Sequence, residues 1–240
     1  MQKRTFIVSD IHGDARHFRM LFQKLHIDLQ EDFLYVNGDV LDRGEDSLRL
    51  FYELLELAGT NPGHLLMTKG NHELFAQYYL QGRLPGRTWS RFGGEDTLRE
   101  VKALSAAERD ELIRILDALP VYRILDSPFY GETVLTHSGL LHNRIVTAAD
   151  GKIDVLRSIE MAAETELYNF LISDDIHYMS TRQLDHMMIV GHVPAIFLEG
   201  RSYEIARKRN LICIDAGAGY RSRGGRLCFY SLEEDQAYYI

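Results

Sequence analysis

The chain has 240 residues, of which 45% are hydrophobic and 26% are charged, a balance typical of one soluble domain with a sizeable core. Its net charge of −8 disfavours the broad basic face of a nucleic-acid-binding protein, although a bound dication can still create a local site for an anion. The first residues contain no apolar stretch long enough for a signal peptide or a membrane span, so we expect a cytoplasmic protein without nucleic-acid or membrane partners.

The first 80 residues alternate short apolar runs with helical periodicity. Apolar residues three and four positions apart predict two amphipathic helices, one containing Phe18, Leu21, Phe22 and Leu25 and the other containing Leu48, Phe51, Tyr52 and Leu55. Gly59 is a suitable residue to end the second helix, and a third helix is expected from about Glu73 to Tyr79. This order predicts a βαβαβ unit with a mostly parallel sheet.

Residues from about 81 to 119 interrupt this rhythm and predict a helical insertion within a single domain that spans 1–240. Glycines and prolines indicate a loop around Trp89, whose side chain we interpret as a core residue. Two helices should follow this loop. Ser105 and Glu108 have the spacing of a capping box, which places the start of one helix at Ser105.

The remaining chain is predicted to be richer in strands. Segments 121–125 and 133–136 flank a turn and should form a hairpin, and residues 155–171 predict a helix. Segments 211–215 and 226–230 flank four glycines, so we expect them to pair with each other. Cys213 and Cys228 lie in these apolar segments and are predicted to be buried free thiols.

Five short apolar runs each lead into Asp, Asn or His, which is the most informative feature of the sequence. In chain order the runs reach Asp10 with His12, Asp39, Asn71 with His72, His137, and His192. Because strand ends meet at one edge of an α/β sheet, these side chains predict a single polar cluster beside a buried sheet. A donor set of nitrogen and oxygen without sulfur suits two borderline or hard cations.

Each motif alone also has a plain structural explanation. Asp10 or Asn71 could cap a helix, and Asp42 with Arg43 could form a simple ion pair. Two donors at positions i and i+2, as in Asp10 and His12, point to the same side of an extended chain and can reach one ion. The order of all the motifs together is far more specific than any one of them.

Taken together, the motifs resemble the phosphoprotein phosphatase branch of the calcineurin-like metallophosphoesterases. D-x-H begins at Asp10, G-D-x-x-D-R-G begins at Gly38 and G-N-H-E begins at Gly70. They are followed, in the order found in the family, by His137 before small residues and by a final G-H that ends at His192. Small bacterial and phage serine/threonine protein phosphatases are most similar. The resemblance implies an α/β fold with αββα layers, in which a central mixed β-sheet sandwich is flanked by helices and carries the helical insertion.

The same resemblance implies two divalent metal ions that share one carboxylate. Their ligands would be Asp10, His12 and Asp39 for one ion, and Asp39, Asn71, His137 and His192 for the other. Mn²⁺ is the metal we expect, and Fe or Zn would also suit these donors. Two such cations can neutralise a phosphate dianion and generate a hydroxide nucleophile that attacks it directly.

Four further residues would serve the phosphate ester itself. The resemblance makes His72 the catalytic imidazole and pairs it with Asp42, and a neighbouring carboxylate raises a histidine pKa so that the ring can protonate the departing oxygen. Arg43 would bind phosphate oxygens through its planar guanidinium. Lys69 stands where relatives usually have another phosphate-binding arginine, and an ammonium cannot form the same two-pronged contact.

The substrate remains open at this point between three hypotheses. The leading one is hydrolysis of phosphoserine and phosphothreonine in a protein or peptide partner, and the alternative is a dinucleoside polyphosphate hydrolase that cleaves diadenosine tetraphosphate. Relatives of the latter kind commonly lack the second Asp of G-D-x-x-D-R-G and have Asp after G-N-H, whereas this chain has Asp42 and Glu73. A metal-stabilised scaffold without turnover could dispense with His72, Asp42 or Arg43. Phe92, where bacterial relatives commonly have Asn, is a further departure from the pattern.

Overall fold

The computed structural model describes residues 3–179, 181–199 and 202–240. Its strands are β1 (Thr5–Val8), β2 (Phe33–Asn37), β3 (Leu65–Thr68), β4 (Tyr122–Ser127), β5 (Gly131–Thr136), β6 (Val146–Thr147), β7 (Ile153–Asp154), β8 (Met187–Val190), β9 (Ala206–Lys208), β10 (Leu211–Cys213), β11 (Cys228–Ser231) and β12 (Gln236–Tyr239). Its helices are α1 (Ala15–Lys24), α2 (Ser47–Thr60), α3 (Asn71–Leu80), α4 (Gly86–Arg91), α5 (Glu95–Ala103), α6 (Ala106–Ala118), α7 (Val155–Leu171), α8 (Ile176–Met179) and α9 (Ala195–Glu199), with 3₁₀ turns at His142–Arg144 and Ala218–Arg223.

The longer strands form two five-stranded mixed sheets. The first has the order β12-β11-β1-β2-β3, in which β1, β2 and β3 are parallel, as the βαβαβ pattern predicted. The second has the order β4-β5-β8-β10-β9, with a parallel centre of β5, β8 and β10. The hairpin expected after residue 120 is β4 paired antiparallel with β5. Strands β6 and β7 form a separate two-stranded ribbon.

Three buried apolar clusters show that the two sheets pack face to face between layers of helices. Side chains alternate along β1, so that Ile7 joins the cluster between the sheets while Phe6 and Val8 join the cluster beneath α1 and α2. In β8, Ile189 faces the space between the sheets and Val190 faces the cluster that includes α7. The αββα layering implied by the resemblance is therefore confirmed.

Local signals set the ends of several helices. The Asp14 carboxylate accepts the backbone N–H of His17 at 3.4 Å and caps α1. The predicted capping box is confirmed at α6, because the Ser105 hydroxyl accepts the N–H of Glu108 at 3.3 Å while the Glu108 carboxylate accepts the N–H of Ser105 at 2.7 Å. Helix α7 has the predicted bounds, with a kink at Glu166.

Some expectations were wrong. Segments 211–215 and 226–230 do not pair: β10 lies in the second sheet and β11 in the first, and the glycines between them belong to a connection that crosses from one sheet to the other. The expected loop around Trp89 contains α4. Trp89 itself is fully buried, as predicted for a core residue. The strand ends that carry the motifs belong to two facing sheets rather than one. Cys213 and Cys228 are buried and free, as predicted.

In the part of the chain that the structure describes, no helix is both long and apolar enough to cross a membrane.

Candidate metal and active site

The predicted ligands come together where five strands end. Asp10 and His12 follow β1, Asp39 follows β2, Asn71 begins α3 after β3, His137 follows β5 and His192 follows β8. Eight of the described residues other than glycine have a positive φ. Six of these eight belong to the motifs, namely Asp10, His12, Asp39, Asp42, Arg43 and His192. Left-handed backbone outside glycine concentrates at functional sites, so the strain marks the same edge of the fold as the motifs.

Asp39 lies at the centre of the cluster. Its Oδ2 atom is 3.2 Å from His137 Nε2 and 3.9 Å from His12 Nε2. The side-chain oxygen of Asn71 is 3.0 Å from His137 Nε2 and 2.9 Å from His192 Nδ1.

The structure joins Asp10 to the same group. Its carboxylate accepts the backbone N–H of His192 at 3.0 and 3.1 Å, and it also accepts the Ser9 hydroxyl at 2.5 Å. All six predicted ligands therefore meet in one cluster, although they lie far apart in the sequence. Five of them are buried and His192 is half-buried.

The donors fit two neighbouring cations. Two sets, His12–Asp39–His72 and Asp39–His137–His192, each place their donor atoms within 4.8 Å of one another, and both contain Asp39. His12 and His137 direct Nδ1 to the backbone carbonyls of Leu41 and Asn37, at 3.0 and 2.9 Å, which leaves Nε2 facing Asp39. A metal-binding histidine is usually fixed by such a bond from its other nitrogen, so the residues present suit two ions that share Asp39.

The charges of the cluster are strongly coupled. Burial alone would raise the pKa of Asp39, but the nearby imidazoles of His137, His72 and His12 outweigh it and hold the pKa well below its usual range. For His137, burial is outweighed by Asp39 and Asp10, which raise its pKa to about 10. Burial and the charge of His137 lower the pKa of His192 to about 3. Such a set of carboxylates and imidazoles is suited to exchanging protons for cations.

His72 and Asp42 form a second, smaller arrangement beside the ligands. His72 Nδ1 is 2.6 Å from Asp42 Oδ2, and His72 Nε2 faces Asp39 Oδ2 at 3.8 Å. Burial opposes a charge on His72, but the carboxylates of Asp39 and Asp42 outweigh it and raise the pKa of the imidazole. The same Asp42 oxygen accepts the indole N–H of Trp89 at 2.6 Å, while Asp42 Oδ1 is buried without a hydrogen-bond partner among the described residues.

Glu73 organises the backbone of two motifs at once. Its fully buried carboxylate accepts the N–H groups of Asp39 at 2.7 Å, Val40 at 2.9 Å, Leu41 at 3.2 Å and Gly70 at 2.9 Å. The loops after β2 and β3 are thereby tied to one side chain, which fixes Asp39 relative to α3.

The two basic residues expected to contact phosphate are placed differently. Arg43 is exposed at the rim of the cluster, where its guanidinium lies 5.1 Å from the centre of the Tyr220 ring. Lys69 is buried, and its ammonium donates to the Gln77 side chain at 3.0 Å, away from the cluster. This position does not support the phosphate contact expected of Lys69, because the bond to Gln77 keeps the ammonium inside the fold. Burial also lowers the pKa of Lys69.

The motifs did not reveal several groups that complete the site. Trp89 and Ser9 bind the carboxylates of Asp42 and Asp10, and no spacing rule links them to those residues. Asp215 differs from these two, because the resemblance to the family extends weakly to residues 214–217. It is also buried at this edge, where burial and the charge of Asp10 raise its pKa well above its usual range. A cleft of about 380 Å³ lies at the edge of the cluster and is lined by His12 and Arg43.

The fold and the cluster have the form expected of a metal-dependent phosphoesterase. Residues 3–218 match the calcineurin-like phosphoesterase family, and the chain belongs to that family.

Similar curated proteins include two symmetrical bis(5'-nucleosyl)-tetraphosphatases. The one from Proteus mirabilis is 31% identical over 136 residues, which cover 57% of this chain and 44% of that protein. The one from Nitrosomonas europaea is 32% identical over 139 residues, which cover 58% of this chain and 46% of that protein. The chain thus spans less than half the length of either relative.

Solved structures share the fold at lower sequence identity. A protein serine/threonine phosphatase from Saccharomyces cerevisiae has a TM-score of 0.64 at 15% identity, covering 96% of this chain and 72% of that one. A candidate diadenosine tetraphosphatase has a TM-score of 0.61 at 16% identity, covering 100% of this chain and 94% of that one. At these identities the comparison concerns the fold alone.

Proposed function

We propose that the chain is a two-metal phosphomonoesterase that acts on phosphoserine and phosphothreonine in a protein or peptide partner. The observation that carries this proposal is the buried pair of His72 and Asp42, joined at 2.6 Å beside the predicted ligands. Phosphoester hydrolysis expels a strongly basic alkoxide, so the reaction gains from a group that holds a proton next to the leaving oxygen.

Each residue of the site has a task in this reaction. Asp42 engages His72 at Nδ1, so that the proton on His72 Nε2 faces the centre of the cluster and can pass to the leaving oxygen. Arg43, at the exposed rim, can bind two phosphate oxygens and orient the ester. Two bound cations would neutralise the phosphate and activate the attacking water. Mn²⁺ is the metal we expect, and Fe or Zn are compatible with these donors.

A second candidate is hydrolysis of a dinucleoside tetraphosphate, which the names of the two curated relatives favour. Cleavage of a phosphoanhydride expels a phosphate anion, which is much less basic than an alkoxide. A protonated imidazole is therefore less necessary for that reaction, and the His72–Asp42 pair favours the phosphomonoester.

A direct comparison of substrates tests the proposal. Protein loaded with Mn²⁺ is assayed with an aryl phosphate, a phosphoserine peptide and diadenosine tetraphosphate, and we expect the peptide to have the higher kcat/KM of the last two. Equal or faster cleavage of the dinucleotide would establish the second candidate instead.

The role of His72 is tested separately. We expect His72→Asn to lower turnover of the peptide by about 10²- to 10⁴-fold, the usual contribution of a positioned acid, with bound metal retained. If turnover and the metal content measured by elemental analysis fall in parallel, His72 is a ligand instead. Its membership of one of the two donor sets is compatible with that role.

A further inference from the structure

An exposed aromatic ring lies beside the proposed acid. Phe92 directly follows α4, and its side chain is 46% exposed. Its ring stacks on Phe75 with 4.8 Å between centroids, and the buried Phe75 ring meets His72 edge-on at 5.4 Å. A chain of ring contacts therefore leads from the imidazole of His72 to solvent.

The same ring is also next to the residue proposed to hold the phosphate. The carbonyl of Gly93 accepts the N–H of Arg43 at 2.8 Å. A Cβ atom added to Gly93 would lie 2.9 Å from Arg43 Cγ, so the backbone that follows Phe92 packs directly against the Arg43 side chain. Phe92 thus flanks both Arg43 and the ring system that contacts His72.

The aromatic surface extends beyond these two rings. The centroids of Phe75 and Tyr168 are 6.2 Å apart, and Tyr168 stacks on Tyr78 at 6.1 Å. Because His72 faces the leaving oxygen in the proposed reaction, the group attached to that oxygen passes over this surface as it departs. Phe92 keeps 46% of its surface exposed there, so a ring in the departing group can pack against its outer face.

We propose that Phe92, supported from beneath by the buried Phe75, forms a subsite for a planar ring in the leaving group, so that the enzyme favours phosphomonoesters whose alcohol carries a ring over those whose alcohol does not. This inference rests on the proposed phosphomonoesterase activity. A stacked or edge-on aromatic contact adds to apolar burial by an amount equivalent to about a 2- to 13-fold change in affinity.

The test compares two substrates that differ in the ring. Benzyl phosphate and ethyl phosphate both release a primary alcohol, so their kcat/KM ratio reports recognition of the ring more than basicity of the leaving oxygen. We expect Phe92→Asn to lower this ratio by about 2- to 13-fold, Phe92→Leu to lower it less, and Phe92→Trp to preserve it. Phe129→Asn is the matched control, because Phe129 is 56% exposed in the turn between β4 and β5.

Two results would overturn the subsite. One is a benzyl-to-ethyl ratio that is the same in the wild type and in Phe92→Asn. The other is a loss caused by Phe197→Asn instead, since Phe197 is 54% exposed beside Tyr220 and is the rival aromatic surface near Arg43.

Failure of the proposed function gives a different result. If the metal-loaded protein hydrolyses neither ester, the phosphomonoesterase proposal fails, and the subsite is measured by calorimetry with benzylphosphonate and ethylphosphonate. We then expect tighter binding of benzylphosphonate that is lost in Phe92→Asn. Equal affinities for the two phosphonates would refute the subsite independently of turnover.

Discussion

Replacing Trp89 with Phe should impair protonation of the leaving group without removing a metal ligand. The indole N–H of Trp89 and Nδ1 of His72 both contact Asp42 Oδ2, each at 2.6 Å. Phenylalanine retains a ring in the buried site but cannot donate to Asp42. The variant therefore leaves Asp42 with one donor fewer, in a place where its other oxygen has no described partner.

The size of the effect follows from that hydrogen bond. A buried hydrogen bond to a charged group contributes about 1.5–3 kcal/mol, so the free energy of unfolding should fall by about 2 kcal/mol, apart from a cavity contribution. If poorer alignment of His72 with Asp42 removes about 1.4 kcal/mol of this amount from the stabilisation of the transition state, turnover falls about tenfold.

The assay uses esters whose leaving groups differ in basicity. An alkyl phosphate needs a proton for its departing oxygen, whereas 4-nitrophenyl phosphate needs it far less, so Trp89→Phe should slow the first much more than the second. Tyr230→Phe is the control, because it removes another buried aromatic donor to a carboxylate, that of Asp235, on β11. Equal slowing of both esters by Trp89→Phe, or no slowing at all, would refute the positioning argument.

Three further changes test the metal centre, the packing around it and the acid sensitivity of the fold. Asp39→Asn should reduce the bound metal below two ions per chain by elemental analysis, because Asp39 belongs to both donor sets. Gly191→Ala should lower the free energy of unfolding by about 1–3 kcal/mol in urea titrations, since the added Cβ would lie 2.0 Å from the Ser9 hydroxyl. Burial would raise the pKa of Asp32, but hydrogen bonds from Arg4 and from backbone N–H groups lower it, so this carboxylate stabilises the fold above its unfolded pKa of about 4 and loses that effect as the pH falls further. Asp32→Asn should therefore reduce Tm at neutral pH and make its decline in acid shallower.

Matched variants separate these effects from general damage. Gly59→Ala is the control for Gly191→Ala, since no atom lies within 4 Å of a Cβ added at Gly59, and it should be neutral or stabilising. Asp150→Asn, at an exposed surface carboxylate, is the control for both aspartate changes. Full retention of two ions by Asp39→Asn, equal stability of both alanine variants, or an unchanged acid limb in Asp32→Asn would each contradict the corresponding prediction.

The sequence predicted the parts of the site that depend on local order along the chain. A parallel strand followed by a helix places the residue after the strand at one edge of a sheet, so Asp10, Asp39 and Asn71 could be grouped from the βαβαβ pattern alone. His137 and His192 reach the same cluster from the other sheet. Apolar runs of four residues do not reveal which sheet a strand joins, so a single sheet was the simplest expectation.

The sequence is least informative where tertiary contacts decide the structure. Strands β10 and β11 look alike in sequence, and only their partners, β8 and β1, separate them into different sheets. The direction of a long side chain is equally hidden: Lys69 follows β3 next to the ligands, yet its ammonium turns to Gln77. Trp89 reads as an ordinary core residue because its contact with Asp42 joins positions 47 residues apart.

The same residue types serve the backbone and the chemistry of this site. Six left-handed residues at about 1 kcal/mol each would sum to about 6 kcal/mol, which is comparable with the whole stability of an ordinary domain. Asp and His tolerate this conformation better than most residues, and five of the six are Asp or His. A left-handed residue turns the chain sharply after its strand, so donors from neighbouring strands point into one space instead of continuing away from it. An aspartate in such a turn therefore supplies both a tolerable bend and a donor atom, which explains why the motifs of Asp and His fall where the donors come together.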